Sequence, residues 1–72
     1  MKISIICGKN FSYDNDLVFV NSRFVYVENY YGEIKRINRK TGEVCIVDEK
    51  IIWGTIDKEQ LDMINRNLSN LE

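Results

Sequence analysis

Three candidate strands and two turns follow one another in FVYVENYYGEIKRINRKTGEVCIV, residues 24–47. Valine, isoleucine and aromatic residues favour strands, and Gly32 and Gly42 interrupt the extended pattern where turns are needed. Gly42 takes a positive φ at little steric cost, as a tight hairpin turn requires. The predicted strands are residues 24–31, 33–38 and 44–47. The stretch therefore predicts consecutive antiparallel hairpins.

Shorter extended patterns lie on both sides of this stretch. Strands are predicted at residues 2–7 and 17–20, with a further short strand at 11–13 and a last short extended piece at 51–53. The Asp-Asn-Asp run at residues 14–16 predicts a turn, because short Asx side chains bond their own backbone. Ile34 and Ile37 do not share a parity along their strand, so a bulge or irregular pairing is expected there.

The C-terminal residues change to a helical period. Asp57 has the features of an N-cap with Gln60 at position N3, and Ile56 and Leu61 are spaced as a hydrophobic staple. An apolar stripe follows at spacings of three and four residues, formed by Leu61, Ile64, Leu68 and Leu71. These signals predict a helix over residues 57–71 that packs on the sheet through this stripe.

One small α+β domain spanning residues 1–72 is the predicted fold, since no linker, repeat or low-complexity segment divides the chain. It consists of an antiparallel β-meander of four to five strands within residues 2–53 and one C-terminal α-helix packed on the sheet. The sheet is expected to be either open or curled toward a partial barrel.

The strands at 17–20 and 24–27 are apolar on both faces. Strict alternation places Val18, Val20, Val25 and Val27 on one face and Leu17, Phe19, Phe24 and Tyr26 on the other. A helix is about 10 Å across, whereas strands spaced by about 4.8 Å make a sheet about 20 Å wide. One helix covers only one face, so the second is buried either by curling into a barrel or by another chain. In the latter case Leu17, Phe19, Phe24 and Tyr26 form the candidate homodimer face.

The sequence contains few of the side-chain combinations that enzymes use for catalysis. There is no histidine, which removes Ser-His-Asp and Cys-His catalysis and the usual zinc sites. Cys7 and Cys45 have no CxxC partner and are expected to pack as small hydrophobes. A disulfide between them is the alternative if their strands are neighbours, although a cytoplasmic location argues against it. No phosphate-binding glycine motif occurs, and the carboxylates of Asp14 and Asp16 are assigned to the turn. We expect no enzymatic activity, no catalytic residue, no metal site and no cofactor.

The basic side chains are concentrated in one segment. Residues 30–40 carry four basic residues and one acidic residue, whereas residues 41–72 carry three basic and seven acidic residues. Lys35, Arg36, Arg39 and Lys40 lie beside an aromatic pair, Tyr30 and Tyr31. Because tyrosine and arginine are enriched at binding hot spots, these six residues are the candidate partner-binding site.

Two functions remain open for that site. A non-enzymatic interaction protein that docks on a protein partner is the first. A nucleic-acid-binding module is the alternative, with cations on phosphates and tyrosines stacked on bases. Against the alternative stand the net charge of −1 and strand alternation, which points Lys35 and Arg36 to opposite faces.

Location and origin are inferred from composition. The N-terminal apolar run is too short for a signal peptide or a membrane span, so a cytoplasmic protein with no membrane partner is expected. Met1 suggests a complete small reading frame, and ten Ile and eight Asn fit a low-GC coding sequence. Together with the lack of catalytic groups, this favours an inhibitor or regulatory accessory carried by a phage or mobile element.

Overall fold

The computed structural model describes residues 2–5 and 13–69, which form one antiparallel sheet and one helix. The elements are β1 (Lys2–Ile5), β2 (Tyr13–Val20), β3 (Phe24–Glu28), β4 (Ile34–Asn38), β5 (Glu43–Ile46), β6 (Ile51–Thr55) and α1 (Lys58–Ser69). Each strand pairs with the next along the chain, so the sheet is a meander. The predicted α+β class is confirmed. Residues 51–55 form a full strand beside β5 rather than a short extended piece, and the described sheet has six strands.

The sheet is open. β1 and β6 lie at its two edges and, within the described ranges, do not pair with each other. The second apolar face is therefore not enclosed by closure into a barrel.

Asparagine organises the three turns that connect β2 to β5. The side-chain Oδ1 of Asn21 accepts hydrogen bonds from the backbone N–H groups of the second and third residues after it, both at 2.8 Å. Asn38 does the same at 2.8 and 3.0 Å, and Asn29 bonds the second and fourth residues after it, both at 2.9 Å. An Asx side chain that satisfies turn amides in this way stabilises the reversal of the chain locally.

Helix α1 covers one face of the sheet, which we call the inner face. Asp57 immediately precedes the helix, and its carbonyl oxygen accepts the N–H of Leu61 at 2.9 Å, as expected at an N-cap position. The core consists of Val25, Val27, Ile37, Val44, Ile56, Leu61, Ile64 and Leu68. The apolar stripe of the helix therefore packs on the sheet as predicted, up to Leu68.

Gly42 fixes the start of the helix against the β4–β5 turn. Its φ is +82°, and its carbonyl oxygen accepts the N–H of Ile56 at 3.0 Å. A Cβ atom at this position would lie 3.1 Å from the carbonyl oxygen of Ile56 and 3.6 Å from Leu61 Cδ2. Glycine is thus required both by the backbone conformation and by the close approach.

The turn predicted at residues 14–16 is wrong. These residues lie within β2, where Asp14, Asn15 and Asp16 pair with Ser4, Ile3 and Lys2 of β1. Asn15 is fully buried. Pairing with a neighbouring strand satisfies the backbone here, and this outweighs the local preference of Asx residues for turns.

The bulge predicted in β4 is also wrong. β4 pairs in regular register with both neighbours, and Ile37 faces the core whereas Ile34 lies on the opposite face. Irregular pairing occurs instead between Leu17 and Phe19 of β2, and between Val44 and Cys45 where β5 meets β6. The predictions for residues 6–12, Cys7 included, and for Leu71 fall outside the described residues.

Candidate interaction surfaces

Lys35 lies on the inner face of β4 and is only 5% exposed. Its Nζ atom is 4.5 Å from the centroid of the Trp53 ring, within the range of a cation–π contact. Trp53 itself packs against the core. Lys35 is therefore packed beside Trp53 on the inner face and is not part of an exposed basic surface.

Arg36 lies on the opposite side of the sheet, which we call the outer face. Its guanidinium carbon is 4.6 Å from the ring centroid of Phe24. In the sheet register Arg36 stands between Tyr26 of β3 and Cys45 of β5. The alternation that separates Lys35 from Arg36 was predicted from the sequence, and the structure confirms it.

Arg39 joins the helix to two turns. Its Nε donates to Asn65 Oδ1 at 3.0 Å, and one terminal guanidinium nitrogen donates to the carbonyl oxygen of Asn21 at 2.7 Å. In return Asn65 Nδ2 donates to the carbonyl oxygen of Arg39 at 2.9 Å. These bonds hold α1 against the β2–β3 and β4–β5 turns, so the guanidinium has a structural role.

Lys40 is exposed beside Arg39, and the two line a groove together with Arg23. Arg23 was not among the residues singled out from the sequence, because it lies sixteen positions before Arg39 in the chain. The backbone bond from Arg39 N to Arg23 O, at 2.8 Å, brings the two turns together. We call the groove formed by Arg23, Arg39 and Lys40 the basic end.

Tyr30 and Tyr31 project from the β3–β4 loop, residues 29–33, which we call the tyrosine loop. Their side chains are 94% and 80% exposed, and their ring centroids are 5.6 Å apart in an edge-to-face arrangement. Neither ring packs in the core. The strand predicted over residues 24–31 is therefore too long, because β3 ends at Glu28 and the next five residues form a turn in which Gly32 has a φ of +82°.

The six residues of the predicted partner-binding site do not form one surface. The tyrosine loop and the basic end lie at opposite ends of β4, five residues apart along a strand, a separation of about 17 Å. Lys35 is buried on the inner face and Arg36 is on the outer face. Proximity in sequence was misleading here because an extended strand separates its ends and alternates its side chains.

A row of outer-face residues crosses five strands. In register, Phe19 lies beside Tyr26, Tyr26 beside Arg36, Arg36 beside Cys45, and Cys45 beside Ile52. The Tyr26 ring is 5.9 Å from that of Phe19 and 6.4 Å from that of Phe24, centroid to centroid. Phe19 and Ile52, at the two ends of the row, are 57% and 65% exposed.

Three of the four residues predicted for the homodimer face share the outer face: Phe19, Phe24 and Tyr26. Leu17 does not, and this part of the prediction is wrong. Leu17 pairs with Val27 and packs against the core. The irregular pairing between Leu17 and Phe19 breaks strict alternation, so these two residues point to opposite faces although they are two positions apart.

Cys45 is half-buried on the outer face rather than in the core, and its thiol donates to the carbonyl oxygen of Ile46 at 3.6 Å. Among residues 2–5 and 13–69 no group of three or more Cys, Asp or Glu side chains is placed to hold a metal ion. The described part of the chain likewise contains no helix with the length and apolar character needed to cross a membrane.

Comparison with known proteins yields no relative: no family model, no curated protein and no solved structure matches this chain.

Proposed function

We propose that this protein is a non-enzymatic interaction module that docks on a protein partner through the outer face of its sheet. The observation that carries the proposal is the row Phe19, Tyr26, Arg36, Cys45 and Ile52, which no described element covers. Aromatic side chains and arginine are the residue types that contribute most to protein–protein binding.

The chemistry of the face defines the partner surface that would fit it. Arg36 stands in the middle of the row with apolar or aromatic neighbours on both sides. A complementary surface is apolar and presents a carboxylate near its centre, where the guanidinium can bind it with two parallel hydrogen bonds. A positively charged partner surface would leave the Arg36 guanidinium desolvated without a counter-ion. A strongly polar one would lose its own hydration against the aromatic rings and gain no hydrogen bonds.

A second copy of this chain fits the face less well than another protein. In a symmetric dimer whose two-fold axis passes through the middle of the face, the two Arg36 side chains would meet at the axis. Like charges placed together oppose association. We therefore place the partner among other proteins, with a monomer in solution as the expected state of the isolated protein.

The positions of the basic and aromatic side chains argue against the nucleic-acid alternative. Lys35 is buried, Arg39 bonds Asn65 and Asn21, and the tyrosines lie at the other end of the sheet from Lys40. An inhibitor or accessory role in a phage or mobile element, and a cytoplasmic location, remain part of the proposal on the evidence of composition.

The proposal is tested by affinity capture with matched variants. Tagged wild-type protein is expected to retain a stoichiometric protein from a lysate of its source cells, with or without nuclease. The Arg36→Glu and Phe19→Ser variants should lose it, whereas Arg66→Glu on the exposed back of the helix should retain it. Peptide mapping after thiol alkylation should show Cys45 protected in the complex.

Capture that persists in both outer-face variants would overturn the assignment of this surface. Capture of nucleic acid that is lost on nuclease treatment would favour the alternative instead. A light-scattering mass of a dimer for the pure protein, reduced to a monomer by Phe19→Ser, would assign the face to self-association.

A further inference from the structure

The tyrosine loop carries its two rings on a backbone that does not depend on them. Asn29 Oδ1 accepts the N–H groups of Tyr31 and Glu33, and Asn29 Nδ2 donates to the Glu33 carboxylate at 2.7 Å. Asn29 and Glu33 also bond through their backbones at 3.0 Å, and the N–H of Gly32 donates to the carbonyl oxygen of Asn29. The loop is thus closed by five hydrogen bonds in which neither tyrosine ring takes part.

Two large aromatic rings at 94% and 80% exposure add nothing to the core. The backbone of the loop is ordered by its own hydrogen bonds, so little backbone freedom is lost on binding. Tyrosine is well suited to this use, since it offers a large contact area with few rotatable bonds.

The charge around the loop is negative. Glu28 and Glu33 flank the tyrosines, and the neighbouring β5–β6 turn contributes Asp48 and Glu49. Lys50 is the one cation in residues 28–33 and 47–50. The two loops emerge from the same end of the sheet: Val47 N donates to Ile34 O at 3.0 Å. Adjacent hairpins are separated by about two strand spacings, roughly 10 Å.

We propose that the tyrosine loop and the β5–β6 turn form a second binding site, which recognises an arginine-bearing segment of a protein. A guanidinium stacks on an aromatic face and bonds a carboxylate with its edge, so rings and carboxylates at one end of the molecule match both of its properties. The basic end lies at the opposite end of the strands, where it repels the same ligand.

This site is separate from the outer face that carries the proposed docking function. Its rings lie in the loop beyond β3, whereas the outer-face row runs through Tyr26 and Arg36 in the middle of the strands. Substitutions at Tyr30 and Tyr31 therefore test the second site alone.

The test is a nuclear magnetic resonance titration of the labelled protein with a short peptide in which arginines alternate with glycines. Amide signals of Tyr30, Tyr31 and Gly32 should shift in a saturable way. The double variant Tyr30→Ser/Tyr31→Ser should weaken binding about fivefold or more, the effect of losing two exposed cation–π contacts. Tyr30→Phe/Tyr31→Phe keeps the rings and should stay within about twofold.

Charge is tested separately. Asp48→Asn/Glu49→Gln should weaken binding and reduce its dependence on salt, because part of the attraction is screened Coulomb energy. Lys40→Ala at the basic end is the matched control and should not weaken binding. A thermal scan of each variant shows whether the fold is retained, which we expect because all these side chains are exposed.

Three results would overturn the proposal. One is the absence of saturable chemical-shift changes up to about 1 mM peptide, which would place the dissociation constant above about 1 mM. Another is unchanged binding in the folded serine double variant. The third is equal binding of a lysine–glycine peptide, which would remove the assignment to arginine.

Discussion

Both faces of the sheet carry apolar side chains, but the two sets differ in size and in surroundings. On the inner face Val25, Val27, Ile37 and Val44 are fully buried beneath α1. On the outer face the half-buried rings of Phe24 and Tyr26 lie between Phe19 and Ile52, which are more than half exposed. The inner residues are small and β-branched and fit closely under a helix, whereas the outer ones include large rings suited to contact with another molecule. The inner face stabilises the fold, whereas no described element covers the outer face, to which we assign the proposed docking function.

The largest effect on stability is expected when a side chain buried against the inner face is removed. Leu68→Ala should lower the free energy of unfolding by about 2–5 kcal/mol, because it leaves a cavity under a fully buried residue. Met63→Ala is the matched control, since Met63 is 57% exposed on the same helix. Urea denaturation measures both variants. Equal transition midpoints would mean that the helix does not pack through its Leu68 side.

Alanine substitutions at Gly42 and Gly32 separate the cost of a positive φ from the cost of crowding around the added Cβ. Gly42→Ala should cost about 2–3 kcal/mol of stability, and Gly32→Ala about 1–2 kcal/mol, because both have a φ of +82° but only Gly42 has atoms within 4 Å of the added Cβ. The difference between the two variants, read from urea midpoints, measures the contact with Ile56. No difference would show that the approach of Ile56 to the turn relaxes without cost.

Arg39 and Lys40 are adjacent in the sequence, but only Arg39 is hydrogen-bonded to the helix. Arg39→Ala should lower stability by about 1–3 kcal/mol, since it removes donors from Asn65 and Asn21. Lys40→Ala should change stability by no more than about 0.5 kcal/mol. Thermal unfolding followed by circular dichroism compares the two. The assignment of Arg39 as the residue that joins helix and turns fails if both variants unfold like the wild type.

The smallest effect on stability is expected on the outer face. Ile52→Thr keeps a β-branched residue in β6 and should change the free energy of unfolding by less than about 0.5 kcal/mol. The same variant should reduce capture of the proposed protein partner. A large loss of stability would mean that the outer face also contributes to the fold and is not reserved for binding.

Much of the fold was predictable from local patterns. The hairpins around residues 24–47, the helix start at Asp57 and the buried stripe through Leu68 all follow from residue types and spacing, and all are confirmed. The failures concern pairing between distant segments. The Asp-Asn-Asp run was assigned to a turn because nothing in its own sequence reveals that β1 pairs with it.

The candidate site was less predictable than the fold. The sequence singled out the right kinds of side chain, aromatic and basic, but placed them together because they are close in the chain. The structure separates Tyr30 and Tyr31 from Lys40 by the length of β4, buries Lys35 and engages Arg39 in hydrogen bonds. It also brings Arg23 to the basic end, for which no local sequence signal exists.

Sequence alone determined that this protein is a small antiparallel meander with a C-terminal helix, and that histidine-based chemistry is absent. Those properties depend on local propensity and composition, which each segment carries independently. Tertiary structure alone decided which apolar face is covered, how irregular pairing turns Leu17 inward, and which charges remain exposed. These depend on register and packing between strands, where one shifted pairing sends a side chain to the opposite face of the sheet.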